Sequence, residues 1–265
     1  MTIASNLPKA YEELVNVEVA PDFFEGHEAS QLWIGAVAIL GNVTSNAHDA
    51  TLKFVADSYI DQHGFRDGET RDEYGRTIDP DANRITRLAV IENRLTISGT
   101  PTPRVIGTMS IIVKQGKDDI PLPIEQAFPE ASVVPLGEGS AEVHDYAVEH
   151  EDDLLKHMTS LALIRALIFQ GLDHDIEYGY AMVEKKIKRL YSLLGVQVDE
   201  IAEPKTFVEP HGKVLLIPTR LNYKDIPATM RSDKSGNPLA GEFFLSESIN
   251  RGQGFYPTEL VGGVK

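Results

Sequence analysis

The stretch DDLLKHMTSLALIRALIFQGL, residues 152–172, is the feature that most constrains the fold of this chain. Its apolar side chains recur at helical spacing and form a broad stripe on one side of a predicted helix. Asp152 or Asp153 can cap the N-terminus of this helix, and Gly171 stands at its predicted end. The stripe contains Leu154, Leu155, Met158, Leu161, Ala162, Ile164, Arg165 and Ile168.

Segments with strand patterns lie on both sides of this helix. AEVHDYAV (141–148) precedes it and DIEYGYAMVE (175–184) follows it. The remaining segments predict a helix at 49–64, strands at 85–92 and 104–114, a helix at 184–194, and strands at 196–202 and 213–221. The order helix, strand, strand, strand, helix, strand, helix, strand, strand predicts an α+β fold with one sheet and helices on its faces.

The pattern also divides the chain into three parts. Residues 1–47 are expected to be an N-terminal extension packed on the body, and residues 48–224 form the body itself. Residues 225–265 are rich in Gly, Ser and Pro, which is typical of either a mobile tail or an arm that wraps the body.

Composition excludes several classes of function. The formal net charge of −15 argues against binding to nucleic acid or to an anionic membrane surface, since both need a basic face. The chain has no cysteine, so disulfides, zinc–thiolate sites and a cysteine nucleophile are excluded. The His-to-acid spacings fit no common zinc pattern, so no metal site is predicted. The longest apolar run, LWIGAVAIL (32–40), is too short to span a membrane, and we expect a cytoplasmic protein with no transmembrane segment.

Five segments together resemble one family. They are FVADSYIDQHGFRDGETRDEY, RVIGTMSIIV, LPIEQAFPE, AEVHDYAV and KRLYSLLGVQVDEIAEP. Their order and local patterns, from about residue 51 to 221, resemble the GNAT-like acyl-CoA N-acyltransferase fold. Within that fold they resemble the branch of acyl-homoserine lactone (autoinducer) synthases and long-chain N-acyl amino acid synthases. The resemblance implies a mixed central sheet flanked by helices, and an enzyme that joins an acyl thioester to an amine.

In that fold two parallel strands splay apart and the pantetheine arm of the donor lies between them. Here the resemblance assigns these strands to 141–148 and 175–184. Most coenzyme A-dependent members follow the first strand with a glycine-rich loop that cradles the diphosphate. This chain has EHEDD there, with no glycine and four acids, which repel a diphosphate. Acyl carrier protein, which presents acyl-phosphopantetheine without a nucleotide, is therefore the expected donor and partner, and acyl-CoA is less favoured. We expect no tightly bound cofactor.

The missing loop is also typical of an inactive relative, so alternatives stay open. One is a non-catalytic GNAT-like protein that binds lipid or acyl carrier protein. Others are an acyl-homoserine lactone synthase and a CoA-dependent N-acetyltransferase.

Three residues are the catalytic candidates. Glu142 matches the acid of the family's Glu-x-Ser-Arg pattern and is expected to accept or orient the proton of the amine. His144 is a candidate proton relay, and Tyr191 can donate a proton to the leaving thiolate. Strand alternation predicts Glu142, His144 and Tyr146 on one face and Asp145 on the other.

The remaining candidates concern binding. Phe65, Glu69, Asp72 and Asp145 are expected to bind the small-molecule amine, although Asp145, like Ser110, stands where the family has arginine. On the second helix, Lys185, Lys186, Lys188 and Arg189 are candidates for docking acyl carrier protein. For each candidate residue, an ordinary solvated or packed side chain is the alternative interpretation.

Overall fold

The structure is a computed structural model, and it describes residues 32–40, 46–62, 71–77, 85–95, 101–114, 120–133, 139–173, 175–193, 195–209 and 212–230. These residues form one twisted mixed sheet with helices packed on both faces. The strands are β1 Leu32–Leu40, β2 Ile85–Leu95, β3 Pro101–Val113, β4 Ser140–Val148, β5 Tyr178–Val183, β6 Asp199–Glu200, β7 Lys205–Glu209 and β8 Gly212–Asn222. The helices are α1 Asn46–Ala56, α2 Pro123–Ala127, α3 Asp153–Asp173, α4 Lys185–Leu193 and α5 Ile226–Met230. The predicted α+β fold class is confirmed.

The spatial order of the strands is β1-β2-β3-β4-β5-β8-β6, with β7 paired to another part of β8. All neighbouring pairs are antiparallel except β4 and β5, which run parallel. A parallel pair needs a long crossover, and α3 supplies it. The prediction of two parallel strands on either side of this helix is therefore confirmed.

Apolar side chains of the sheet separate onto two faces, as strand alternation requires. On one side, Met109, Ile111 and Val143 pack against α3 and α4, and we call this the α3 face. On the other side, Ile85, Ile112 and Tyr180 pack against the short helix α2, and we call this the α2 face. Both faces of the central strands are covered, which explains why β3 and β4 are buried along most of their length.

Helix α3 begins as predicted but continues past its predicted end. The Asp152 carboxylate accepts a hydrogen bond from the Leu155 N–H at 3.3 Å, which caps the N-terminus. Gly171 was expected to end the helix, but the helix extends to Asp173. A Cβ atom at Gly171 would lie only 2.1 Å from the Tyr223 ring, so this glycine allows the close approach of the ring and does not act as a C-cap.

Two strands differ from the sequence expectations. The apolar run at 32–40, which we assigned to the N-terminal extension, forms the edge strand β1 and pairs antiparallel with β2. Strand β7 was not predicted, because its segment is short and has a proline on each side, Pro204 and Pro210; it pairs antiparallel with β8. The rest of the predicted extension and most of the C-terminal arm lie outside the described residues, so the division into three parts stays a prediction. None of the described helices has both the length and the apolar character that crossing a membrane requires.

Candidate active site

The candidate site lies where β4 and β5 separate. The two parallel strands are paired from Ser140 and Tyr178 to Val143 and Ala181. Beyond that point β4 continues to Val148 with no further pairing to β5. The sheet therefore opens immediately after Val143, and His144 is the first residue of β4 along this opening.

A β-bulge interrupts β4 at the same place. Ser110 of β3 is opposite His144, but Thr108 is opposite Ala147, so β4 has one residue more than β3 over this interval. Asp145 has a φ of 53°, in the left-handed region that aspartate tolerates better than most residues. The bulge changes the alternation of side chains along the strand.

The bulge corrects the expected orientation of the β4 side chains. Asp145 was expected on the face opposite Glu142, but its carboxylate contacts Arg87 on the α2 face. Tyr146 was expected beside Glu142, but it packs in the cluster of the α3 face. Simple alternation failed here because the inserted residue shifts every later side chain by one position.

Four side chains form a row on the α2 face beside the opening. Arg87 and Ser110 are register partners, as are Ser110 and His144. The Nη1 atom of Arg87 donates to Ser110 Oγ at 2.9 Å and to Asp145 Oδ2 at 3.3 Å. The other carboxylate oxygen of Asp145 lies 3.3 Å from His144 Nδ1. Arg87 and Asp145 are almost fully buried, whereas the His144 side chain retains 21% of its exposure.

Glu142 is also on the α2 face but serves a different contact. Its side chain is fully buried, and Oε2 accepts a hydrogen bond from the Ile124 N–H at 2.8 Å. Ile124 lies in the first turn of α2, where backbone N–H groups have no partner within the helix. Glu142 therefore anchors the LPIEQAFPE segment to the sheet.

Tyr191 lies on the opposite side of the sheet. It belongs to the cluster of the α3 face together with Tyr146. Burial, and to a lesser extent the nearby Tyr146, raises the pKa of Tyr191 well above its usual value, which keeps the hydroxyl protonated. The structure thus places Glu142 and Tyr191 on different faces of the sheet.

The loop after β4 is tied to the sheet. Asp152 N–H donates to His150 Nδ1 at 2.8 Å, so the proton of a neutral His150 ring is on Nε2, which lies 3.4 Å from Glu92 Oε1. Arg104 bridges Glu92 at 2.6 Å and Glu151 at 2.9 Å. The hydrogen bond from Arg104 lowers the pKa of Glu151 to about 2. Glu151, one of the acids that stand in place of the glycine-rich loop, is therefore held in position and ionised.

The expected amine-binding residues are only partly described. Phe65 and Glu69 lie outside the described residues. Asp72 accepts hydrogen bonds from the Tyr74 and Arg76 N–H groups, each at 2.9 Å, and from Arg76 Nε at 2.7 Å. Its carboxylate organises its own turn, and its role towards an amine stays a prediction. Asp145 lies in the row described above.

The four basic residues of α4 divide into two pairs. Lys186 pairs with Glu184 at 3.0 Å, and Lys188 pairs with Glu200. Lys185 and Arg189, four residues apart on one side of the helix, are exposed and form no ion pair with the other described residues.

Within the described part of the chain, no three His, Asp or Glu side chains cluster closely enough to hold a metal ion.

Sequence reasoning missed Arg87, Glu92 and Arg104. A signal was present, because Arg87 and Glu92 interrupt the apolar segment ITRLAVIE. A charged side chain in a strand buried on both faces needs a partner nearby, but the pattern of one strand does not identify that partner.

Neither a protein-family model nor a curated protein matches the sequence. Solved structures do match. TofI, in a ternary complex with an inhibitor and MTA, is 10% identical with a TM-score of 0.53, covering 76% of this chain and 99% of TofI. The CoA-dependent acyl-homoserine lactone synthase BjaI, with SAM and isopentyl-CoA, is 18% identical with a TM-score of 0.53. The match covers 76% of this chain and 89% of BjaI. The AHL synthase LasI is 14% identical with a TM-score of 0.52, and the match covers 72% of this chain and 90% of LasI. The chain therefore has the fold of the acyl-homoserine lactone synthases, as the sequence resemblance predicted.

Proposed function

We propose that this protein is a cytoplasmic N-acyltransferase that moves a fatty acyl group from acyl carrier protein to the amine of an amino acid or similar small molecule. The observation that carries the proposal is the opening between the parallel strands β4 and β5, which begins after Val143 and Ala181. The opening gives an extended pantetheine arm access to the part of β4 that does not pair with β5. Ionisable candidate residues lie on both faces of the sheet, with His144 on the α2 face and Tyr191 on the α3 face.

The chemistry requires a proton acceptor for the amine and a proton donor for the thiolate. The amine nitrogen attacks the thioester carbon, the carbon–sulfur bond breaks, and the thiolate leaves. Tyr191 on the α3 face is the candidate partner of the leaving thiolate in this proposal, because its hydroxyl can donate a hydrogen bond to the sulfur. On the α2 face, His144 follows the last residue of β4 that pairs with β5 and is the candidate proton acceptor, whereas Glu142 is buried under α2 and supports the local structure.

Two features favour acyl carrier protein as the donor. Among the acids after β4, Arg104 fixes Glu151, and the Glu92–His150 contact ties this loop to β2; negative charge at this place opposes a nucleotide diphosphate. Lys185 and Arg189 of α4 are exposed cations suited to the acidic surface of a carrier protein. BjaI shares the fold and is a CoA-dependent synthase, so acyl-CoA is the competing donor.

The test compares three donors that carry the same acyl chain: acyl-carrier protein, acyl-CoA and acyl-pantetheine. Each is incubated with the purified protein and a pool of amino acids, and in a separate arm with SAM. Mass spectrometry detects N-acyl products. We expect products from acyl-carrier protein, fewer from acyl-CoA, and a strong loss in the matched variant Y191F, which keeps the ring but lacks the hydroxyl.

The outcomes separate the parts of the proposal. Absence of product from every donor and acceptor contradicts N-acyl transfer. Faster turnover of acyl-CoA than of acyl-carrier protein contradicts the donor assignment alone. A lactone product from SAM would make the protein an acyl-homoserine lactone synthase.

A non-catalytic binding protein is the second candidate. It is favoured by the burial of Glu142, the acid that the family pattern places first in the chemistry, beneath α2. Binding of acyl-carrier protein by calorimetry without any turnover would support this candidate.

A further inference from the structure

We propose that Tyr59 is a positioning residue for acyl transfer, whose hydroxyl group holds the bulge of β4 in the shape that the reaction requires. This role rests on the proposed N-acyl transfer and adds to it a residue that acts through the main chain of β4 and not on the reacting atoms. Tyr59 was not a candidate site residue in the sequence.

The contact of Tyr59 with the bulge is the first argument. Its hydroxyl donates a hydrogen bond to the main-chain carbonyl of Tyr146 at 2.8 Å. Asp145 and Tyr146 together lie opposite Met109 of β3, so Tyr146 is a residue of the bulge itself. Because the peptide group is planar, a fixed carbonyl also fixes the direction of the following N–H group, that of Ala147. Tyr59 therefore sets the orientation of one peptide group of the bulge.

The position of this peptide group is the second argument. Strands β4 and β5 are paired as far as Val143 and Ala181, and Tyr146 follows Val143 by three positions. At about 3.3 Å per residue, the bonded carbonyl lies within about 10 Å of the start of the opening. In the proposed function the donor arm lies along this part of β4. A change in the direction of its main chain would therefore move the thioester relative to the amine.

The shape of helix α1 is the third argument. After Ala56 the helix continues as a π-helical turn, Asp57–Gln62, and this turn contains Tyr59. Such turns are rare and are frequently found at functional sites. Arg71 holds the turn, because it donates to the Ala56 carbonyl at 3.1 Å and to Asp57 Oδ1 at 3.2 Å. The turn that carries Tyr59 is thus fixed by contacts of its own.

The bulge is held by two elements of the fold. Arg87 of β2 contacts the Asp145 side chain, and Tyr59 of the π-helical turn contacts the Tyr146 carbonyl. A bulge disrupts the local pairing of its strand, and bulges beside active sites redirect the chain there. Contacts from outside the β3–β4 pair keep this one in a single conformation.

The experiment follows the Tyr146 carbonyl and the reaction in the same proteins. Y59F removes only the hydroxyl oxygen and keeps the ring. The full chain is labelled with 13C and 15N, and the carbonyl resonance of Tyr146 is assigned in the unmodified protein and in Y59F. Loss of a hydrogen bond moves a carbonyl carbon resonance upfield, so we expect an upfield shift for Tyr146 in Y59F.

Acylation should slow in Y59F without weaker binding of the donor. We expect kcat with acyl-carrier protein to fall about 10- to 100-fold, because a misplacement of about 1 Å can cost about 100-fold in rate. KM should change by less than about threefold, since the rest of the donor arm and its carrier protein still bind. A tyrosine that only stabilised the fold would lower the melting temperature and leave kcat of the folded protein unchanged.

A second variant and a matched control accompany Y59F. R71M removes the contacts that hold the π-helical turn and keeps the Tyr59 hydroxyl, so we expect the same direction of shift and a smaller fall in kcat. Y74F is the control, because Tyr74 is 68% exposed and its ring stacks with Arg76 without using the hydroxyl. Y74F should leave the Tyr146 resonance and kcat unchanged.

The proposal is overturned if the Tyr146 resonance is the same in Y59F and in the unmodified protein, since the hydrogen bond is then absent. It is also overturned if the resonance shifts but kcat is unchanged. If Y59F does not fold, R71M decides, and an unchanged resonance or kcat in R71M overturns the proposal. If the resonance shifts but the unmodified protein acylates no amine from any donor, the proposed function fails, and the contact of Tyr59 with the bulge stands as a structural one.

Discussion

Arg87 on β2 and Asp145 on β4 form a buried ion pair across the intervening strand β3, with Nη1 and Oδ2 3.3 Å apart. Their side chains retain only 1% and 2% of their exposure. The bulge at Asp145 makes the pair possible, because it turns the carboxylate to the α2 face where Arg87 lies. The ion pair links β2 to β4 in the central sheet, and its Asp145 also contacts His144 in the candidate site.

Loss of one member of this pair should be strongly destabilising. R87M leaves the Asp145 carboxylate buried without its cation, and we expect the free energy of unfolding to fall by about 3–5 kcal/mol. The double variant R87M/D145N removes the charge as well and should be destabilised less than R87M. Urea unfolding measures both. R220M, which removes an exposed pair with Asp199, serves as the control and should cost at most about 1 kcal/mol. Equal losses in R87M and in the double variant would contradict the ion pair as the cause.

Glu142 should contribute more to the stability of the protein than to proton transfer from the amine. E142A removes the acceptor of the Ile124 N–H, and an unsatisfied buried donor costs about 1–3 kcal/mol. E142Q keeps an oxygen at the same place and should retain most of the stability and of the acylation rate. E203A, at an exposed position, is the control. If E142Q folds normally but loses its acylation rate, Glu142 takes part in the chemistry and its role is not limited to stability.

Gly171 should not tolerate alanine. An alanine inside α3 would gain about 1 kcal/mol of helix propensity. Its Cβ would however lie 2.1 Å from the Tyr223 ring, and overpacking of this kind costs about 1–3 kcal/mol or more. We expect a net loss of stability in thermal unfolding of G171A. In the background Y223L, where the ring is removed, the same alanine should be less harmful; an equal loss in both backgrounds would exclude the ring as the cause.

Acid should weaken the attachment of the loop after β4. The Arg104 hydrogen bond lowers the pKa of Glu151 from 4.5 to about 2. A depressed folded-state pKa means that the contribution is fully present above about pH 4.5 and is lost as the pH falls towards about 2. The difference in stability between the unmodified protein and E151Q should therefore shrink across this window, as followed by urea unfolding at several pH values. A difference that stays constant from pH 5 to about 2 would contradict the assignment.

Reversal of the exposed cations on α4 should impair the carrier-protein donor selectively. K185E/R189E should raise KM for acyl-carrier protein about tenfold at low salt, with little change for acyl-pantetheine, because only the protein donor uses surface charge. The effect should diminish as ionic strength rises. K213E, a reversal at an exposed position on β8, is the control. An equal rise in KM for acyl-pantetheine would place the defect in the site itself.

The sequence by itself determined the α+β order and the crossover helix α3. These features follow from local periodicity, which a chain carries within about 20 residues. The resemblance based on AEVHDYAV and its companion segments also predicted the parallel pair that opens after Val143. Lys185 and Arg189 could be recognised as exposed because amphipathic spacing on α4 is likewise local.

Only the tertiary structure decided which side chains meet. The bulge at Asp145 depends on how β4 pairs with β3, and it brings together Arg87 and His144, which are far apart in the chain. Glu142 is buried because α2 folds over it, and a Cβ atom at position 171 of α3 would collide with the Tyr223 ring. Each of these outcomes depends on contacts between distant segments. Periodicity, propensity and spacing along one segment carry no information about such contacts.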